Sequence, residues 1–373
     1  MKRKFTIAIL LISSVLLISL YLVFFASSTT ALNDNRWVAY FAPSSTDVAY
    51  GDTNAKLIEI DSDGNTKTHG VDAYPFTGLI NYNDNLIFQT PKGLSKLNNS
   101  ISSLNANLDN NTVGYHMADI LKEKNIYYFL SNEEFKETFY SSKLILGDDT
   151  SQYSHQIEGF INAYGNDNLN IFLLASDMIN KNSKQLQRIS INSTNDISIK
   201  TNTINFNTEI DSNFKMIVLD NYIYCFIIKN NSTVSLLKIS KDTLNIENTF
   251  DLIDFDPSIE NDPYYPLSTN SIFYHNDKIY YPSVEGTIYS FNIKTNKFIE
   301  EFKLKNYDIN SSYNASSYFS TINNELYIFY FDESKNIYTL DSYNLNGDLN
   351  YTIPINNLSI KDNLYPHSFI KLE

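Results

Sequence analysis

The chain is first defined by what it has little of. Cysteine occurs once, as Cys225 among 373 residues, so an internal disulfide framework is excluded. That thiol lies in the run Tyr222 to Ile228, where a cysteine behaves as a small, buried and inert hydrophobe. Basic residues are few: 28 Lys and Arg stand against 42 Asp and Glu, a formal charge of -14. They are scattered singly among acids, which disfavours nucleic acid because phosphate binding needs clustered cations. Histidine is limited to His69, His116, His155, His275 and His367, none with a second His or Cys at metal-ligand spacing. A glycine-rich phosphate loop and a Gly-x-Ser-x-Gly elbow are both missing. With no catalytic motif in view, no metal and no cofactor are expected. Arg and Gly are scarce beside Asn, Ile, Lys and Tyr, the bias of an AT-rich genome, so a low-GC bacterial source is expected.

The amino terminus is the first positive signal. Met1-Lys2-Arg3-Lys4 precedes an uncharged stretch from Phe5 to Ala26, long enough for the roughly 20 residues that cross bilayer hydrocarbon as a helix. Its Leu, Ile, Val and Phe side chains each favour insertion by roughly 0.3 to 0.6 kcal/mol near the bilayer centre, which outweighs Ser13, Ser14 and Ser19. Basic residues ahead of the stretch and none just behind it place the amino terminus in the cytoplasm and the remainder outside. Residues 1–4 then form a cytoplasmic stub, 5–26 a transmembrane signal anchor in the lipid bilayer, 27–35 a small polar linker and 36–373 an extracytoplasmic domain. Small residues at Ala26-Ser27-Ser28 and Thr29-Thr30-Ala31 also fit a cleavage site, which would make the domain secreted. No cysteine lies near the segment, so a lipid-modified amino terminus is excluded.

The rest of the chain repeats one pattern, clearest in Ser271 to Leu304. Strand-forming runs at Ser271 to Tyr274, Lys278 to Tyr281, Thr287 to Ile293 and Lys297 to Leu304 are separated by turn signals at His275-Asn276-Asp277, Val284-Glu285-Gly286 and Lys294-Thr295-Asn296. Period-2 alternation of β-branched and aromatic residues, broken by Asn, Asp and Gly, predicts antiparallel strands. A turn followed by an apolar strand recurs around Val48, Leu86, Ile126, Ile171, Ile223, Ile279 and Leu326, which predicts seven copies. A second landmark, strand then polar turn then strand, follows at Leu57 to Ile60, Leu186 to Ile191, Leu236 to Ile239, Ile288 to Ile293 and Thr339 to Leu345. In the second and third copies it is degenerate, with Leu94 to Leu97 and Leu144 to Leu146 in its place.

Four-stranded units of roughly 40 to 50 residues resemble the blades of a β-propeller, which bury both faces only when neighbours stack around an axis. The resemblance covers nearly the whole extracytoplasmic part and implies an all-β, seven-bladed propeller of four-stranded antiparallel blades, with six blades as the alternative count, preceded by one transmembrane helix. The Trp-Asp ending of WD repeats, the Gly-Gly pair of kelch repeats and the quinoprotein signature are all missing, so the resemblance implies a fold and carries no activity. Ring closure is expected from Ser368 to Leu372 pairing beside Trp37 to Phe41, because open edges would otherwise remain.

Asp61-Ser62-Asp63-Gly64-Asn65 is similar to the start of a calcium loop, but the position that calls for a bidentate Glu is Asp72, and the segment falls where the other copies place a hairpin turn. It is read as a turn. The long links between blades are better candidates. Asp251 to Asn270 carries Asp254, Asp256, Tyr264 and Tyr265, Lys305 to Tyr318 carries Tyr307 and Tyr313, and Asn357 to His367 carries Tyr365. In propellers such links emerge on one face, so these residues are expected to form an acidic, tyrosine-rich ligand-binding rim. The function expected is a non-enzymatic binding or scaffold module at the cell surface for a protein, peptide or cell-wall glycan. The alternative is an extracytoplasmic enzyme on the same scaffold, a glycan hydrolase or lyase or a cofactor-dependent dehydrogenase, which fold alone does not support.

Overall fold

Along the strand Arg36–Ala42, Trp37, Ala39 and Phe41 point to one side and Val38, Tyr40 and Ala42 to the other, and both sets are buried. A strand with two apolar faces needs a partner sheet on each side, and the computed structural model supplies both by arranging seven sheets as a ring. It describes residues 36–43, 54–72, 78–90, 93–98, 100–104, 117–136, 139–176, 183–207, 210–211, 214–256, 267, 271–305, 307, 318–322, 325–332, 334–355, 358 and 364–372. The expected anchor Phe5 to Ala26, the linker 27–35, Tyr264, Tyr265 and Tyr313 lie outside the described residues. Among the described residues no helix is long and apolar enough to cross a membrane.

The blades, from innermost strand to outermost, are as follows. Blade 1 is Tyr365–Leu372, Arg36–Ala42, Asn54–Ile60 and Thr66–Asp72, and blade 2 is Leu79–Tyr82, Asn85–Thr90, Gly93–Leu97 and Ile101–Ser103. Blade 3 is Met117–Leu121, Ile126–Lys136, Phe139–Gly147 and Gln152–Glu158, and blade 4 is Phe160–Asn166, Asn170–Ser176, Ser183–Ser193 and Asp196–Asn205. Blade 5 has a split inner strand, Ile210–Asp211 and Ile217–Val218, then Tyr222–Lys229, Thr233–Ser240 and Ile246–Asp254. Blade 6 is Phe273–His275, Lys278–Pro282, Thr287–Asn292 and Lys297–Lys303, and blade 7 is Tyr318–Ile322, Glu325–Asp332, Ile337–Asn344 and Leu349–Ile355. The seven-bladed, all-β expectation holds. The middle strands are buried on both faces, whereas outer strands such as Asp196–Asn205 are largely exposed.

Each gap between neighbouring blades holds its own apolar cluster. Tyr128, Leu130 and Leu144 of blade 3 pack with Ile161, Tyr164 and Leu173 of blade 4, and Phe329 and Leu340 of blade 7 pack with Trp37 and Phe41 of blade 1. At roughly 1.5 to 3 kcal/mol per fully buried large side chain, stacking between blades dominates over hydrogen bonding within them.

Closure occurs as expected. Tyr365–Leu372 lies antiparallel to Arg36–Ala42, with Trp37 opposite Lys371 and a register slip between Tyr40 and Phe41. Phe369 stacks on Phe329 of blade 7 at 5.3 Å, and Lys371 Nζ donates to Tyr327 Oη at 3.0 Å. The first blade corrects one expectation: Val48 lies outside the described residues, and the position that Leu86, Ile171 and Ile279 hold in their second strands belongs to Trp37 in blade 1.

Asparagine takes over most of the positions for which a glycine-poor chain lacks glycine. Among the described residues every non-glycine with positive φ except Leu244 is Asn or Asp, the side chains that tolerate the left-handed region by bonding locally. Asn83-Asp84 and Asn276-Asp277 both adopt it in succession, the geometry of a type I′ hairpin.

Candidate functional site

Strands alternate in direction, so the ring has two unlike faces. First-to-second and third-to-fourth turns lie on one, here called the turn face; second-to-third hairpins and the links to the next blade lie on the other, the link face. The four described candidates all belong to the link face. Asp254 ends the outer strand of blade 5, is exposed, and accepts a hydrogen bond from Thr233 Oγ1 at 2.8 Å. Asp256 follows it, also exposed. Beside them Asp251 is held below the usual carboxylate range by Lys229 Nζ at 2.5 Å and by Ser235 Oγ at 2.7 Å. Tyr365 opens the closing strand and is 39% exposed. Tyr307 is half-buried, edge-on to Tyr330 at 6.2 Å in the cluster between blades 6 and 7. Its ring fills that junction, while Asp254, Asp256 and Tyr365 face solvent.

A projection on this face was not among the sequence-derived candidates. The second strand of blade 3, Ile126–Lys136, has 11 residues, against 5 to 8 in the other blades. It pairs with Phe139–Gly147 beyond the level at which its neighbour Met117–Leu121 stops, opposite Leu130. Phe135 and Tyr140 are directly opposed near its tip. Phe135 is 50% exposed, and Tyr140 lies edge-on to Phe160 of blade 4 at 5.1 Å. An aromatic row therefore descends from the hairpin to the innermost strand of the next blade. Burial, then the nearby Glu133 carboxylate, push the Tyr140 hydroxyl up, so it stays a neutral donor.

The hairpin is fixed at its base rather than hanging free. Asn132 Nδ2 donates to the Ile161 carbonyl at 3.0 Å, and Ile161 N–H donates to Asn132 Oδ1 at 2.7 Å, clamping blade 3 to blade 4. Ser142 Oγ lies 2.9 Å from Asn132 Oδ1 and 2.6 Å from the Gly159 carbonyl, next to the register slip between Ser141 and Ser142. Glu133 is paired with Lys143 at 2.9 Å. The only sequence signal for this arm is a run of aromatics, Phe135, Phe139 and Tyr140, inside a segment rich in Glu.

On the turn face, Asp61 closes a hairpin. Its carboxylate accepts from the amides of Asp63 at 2.9 Å and Asn65 at 2.8 Å, so the turn reading holds. Among the described residues no group of three or more His, Cys, Asp or Glu is placed to hold a metal ion.

The solved structures that this chain resembles belong to proteins of different kinds. A puromycin-hydrolyzing peptidase from Mycobacterium tuberculosis has a TM-score of 0.54 at 10% identity, over 86% of this chain and 51% of the peptidase, so this chain spans about half of it. A quinonprotein alcohol dehydrogenase-like protein from Bacteroides thetaiotaomicron has a TM-score of 0.48 at 12% identity, over 89% and 77% of the two chains. BamB from Moraxella catarrhalis has 0.43 at 11% identity, over 91% of each. At such identities the likeness is one of fold alone. Among curated proteins none matches. The family description "YycP, beta-propeller domain" matches residues 30–369, and the chain belongs to that family.

Proposed function

We propose that the protein is a membrane-anchored, non-enzymatic binding module that presents the link face to a protein, peptide or cell-wall glycan outside the cytoplasm. The observation that carries this reading is the blade 3 hairpin, with Phe135 half-exposed on a second strand longer than those of the other blades and clamped at its base. A rigid, projecting aromatic loses little conformational entropy on binding and gains apolar contact. Asp254 and Asp256 of blade 5 and Tyr365 of blade 1 share its face and add acid and hydroxyl groups to it. The uncharged stretch Phe5 to Ala26 supports anchoring with the ring outside.

Capture from solubilised cell envelope by the immobilised protein tests it. Phe135→Ala should reduce capture at least about tenfold, as expected for the loss of a hot-spot aromatic. The triple change Tyr264→Ala, Tyr265→Ala and Tyr313→Ala, in the same links, tests whether the rim extends around the face. Unchanged capture in both variants would reject the link face as the binding surface. An enzyme on the same scaffold rests on fold alone and is not adopted.

A further inference from the structure

Ring closure fixes where the chain enters the fold. Arg36 opens the second strand of blade 1 and pairs with Leu372, the last residue of the closing strand. The other blades place their first-to-second turns at this level, as Tyr82 to Asn85 and His275 to Lys278 do. The chain therefore enters through the turn face. From there Arg36–Ala42 crosses the blade and ends on the link face.

That entry point limits how the ring can sit over a bilayer. The ten Cα steps from Ala26, where the uncharged stretch ends, to Arg36 span at most ~36 Å when drawn straight. Laying the link face on the membrane would take this stretch outward over the third and fourth strands of blade 1, roughly 15 Å including the outermost side chains. It would then have to descend the length of Arg36–Ala42, about 20 Å at ~3.3 Å per residue. The two legs use the whole reach. The blade 3 arm, which runs past its inner neighbour from Ser131 to Lys136, would hold the bilayer further off still. With the turn face towards the bilayer none of this path is needed. The turns there expose Asp63, Asp84, Asp149, Asp220 and Asp242 alongside Lys122 and Lys294, so attraction to anionic headgroups is not what sets the orientation. The length and attachment point of the tether set it.

We propose that in the anchored protein the turn face is the surface next to the bilayer, and that the link face, with Phe135, is held away from it. The inference rests on the reading of Phe5 to Ala26 as an uncleaved anchor, and it narrows what the link face can take: a protein, peptide or glycan that arrives from beyond the membrane surface, and not a lipid headgroup.

Energy transfer from a donor dye on one new thiol tests it, with the full chain reconstituted in phosphatidylcholine vesicles that carry a headgroup-linked acceptor. Ser62→Cys puts the donor in the exposed turn before the outer strand of blade 1, and Ser334→Cys puts it in the exposed link-face hairpin of blade 7. Cys225 is fully buried and stays in place, with the native chain as the blank. Transfer should be at least about twofold more efficient from Ser62→Cys than from Ser334→Cys, since the two faces differ in height by roughly 20 Å. Inserting about 15 Gly and Ser residues between Ser27 and Asn35 should shrink the difference. A difference unmoved by the insertion would overturn the tether as its cause. Vesicle flotation separates this inference from the reading beneath it. A chain that floats and transfers equally from both positions, or more from Ser334→Cys, overturns the orientation and leaves the anchored module standing. A chain that does not float overturns the anchor and the orientation together.

Discussion

The two faces of the ring are built by different rules. On the turn face one device recurs: Asp61 accepts from the amides two and four residues on, Asn344 does the same with Asn346 at 2.9 Å and Asp348 at 3.0 Å, and Asn292 and Asp148 accept from pairs of following amides. These turns also grip the preceding blade. His155 Nε2 of blade 3 donates to the Thr194 carbonyl of blade 4 at 2.8 Å, Asn202 Nδ2 of blade 4 to the Leu244 carbonyl of blade 5 at 2.9 Å, and Lys305 Nζ, just after blade 6, meets Asp348 of blade 7 at 2.7 Å. On the link face the hairpins differ in length, and one of them projects. The contrast teaches that the turn face repeats one device for gripping the neighbouring blade, whereas on the link face the Asn132–Ile161 clamp holds the base of an arm whose tip is left to carry recognition.

The largest effect should follow from breaking closure. Deleting Tyr365–Leu372 removes the innermost strand of blade 1 and the ring stack of Phe369 on Phe329. It leaves Arg36–Ala42 with a bare edge. The truncated chain should lose its cooperative thermal transition by circular dichroism. A transition within a few degrees of the native one would mean that the ring does not depend on its seam.

Next in size is a single turn-face glycine. Gly64 has φ of +77° and its missing Cβ would sit 2.2 Å from the Pro354 carbonyl oxygen of blade 7. Gly64→Val should destabilise by about 2 to 3 kcal/mol, combining left-handed strain with a backbone clash. Denaturant melts measure it directly, and an effect as small as that of a random surface change would show that the blade 7 to blade 1 contact is loose.

The turn-face acids should then make stability depend on pH. Burial works against the charge on Asp61 and Asp148, but hydrogen bonds from Asn65 and Asp63, and from Thr150 and Ser151, hold both carboxyls below the usual range. A depressed folded pKa means the stabilisation is present above the ordinary carboxylate pKa and is lost as pH falls through the folded value. Asp61→Asn can keep the turn while flattening the loss of melting temperature below roughly pH 4, whereas Asp61→Ala should lose about 1 kcal/mol at neutral pH. An acid melting profile unchanged in Asp61→Asn would remove that residue from the account.

Most of this architecture was legible because the repeat has a strong local cause. Leu86, Ile126, Ile171, Ile223, Ile279 and Leu326 all open second strands, where both faces are buried, and in the sequence an Asn- or Asp-containing stretch comes just before each. Blade 1 departs from the rule because its innermost strand arrives from the far end of the chain, so its second strand is the first to appear in the sequence and Trp37, not Val48, holds the landmark position. The site was less legible. Asp254, Asp256 and Tyr365 could be found as polar residues beside strand ends, but the exposure of Phe135 depends on how far a hairpin outruns its neighbour. The contacts of Lys215 were not legible at all, because its partners, Tyr164 and Asp119, lie in blades 4 and 3 while Lys215 belongs to blade 5.

The smallest effect on stability, and the sharpest test of the contrast, belongs to the link face. Phe135 is half-exposed, and its cross-strand neighbour Tyr140 already has Phe160 to pack on. Truncating it removes little buried area, so Phe135→Ala should change unfolding free energy by less than about 0.5 kcal/mol. Asn132→Ala works through the clamp instead. It strips Ile161 of both hydrogen bonds from that side chain and should destabilise by about 1 to 3 kcal/mol. If the faces divide labour as the geometry implies, the first variant melts like the native protein and fails to capture its partner. The second melts early, and it loses capture only to the extent that the arm it anchors swings away. A Phe135→Ala variant that melts as early as Asn132→Ala would make the aromatic row a structural buttress and return the link face to the same rule as the turn face.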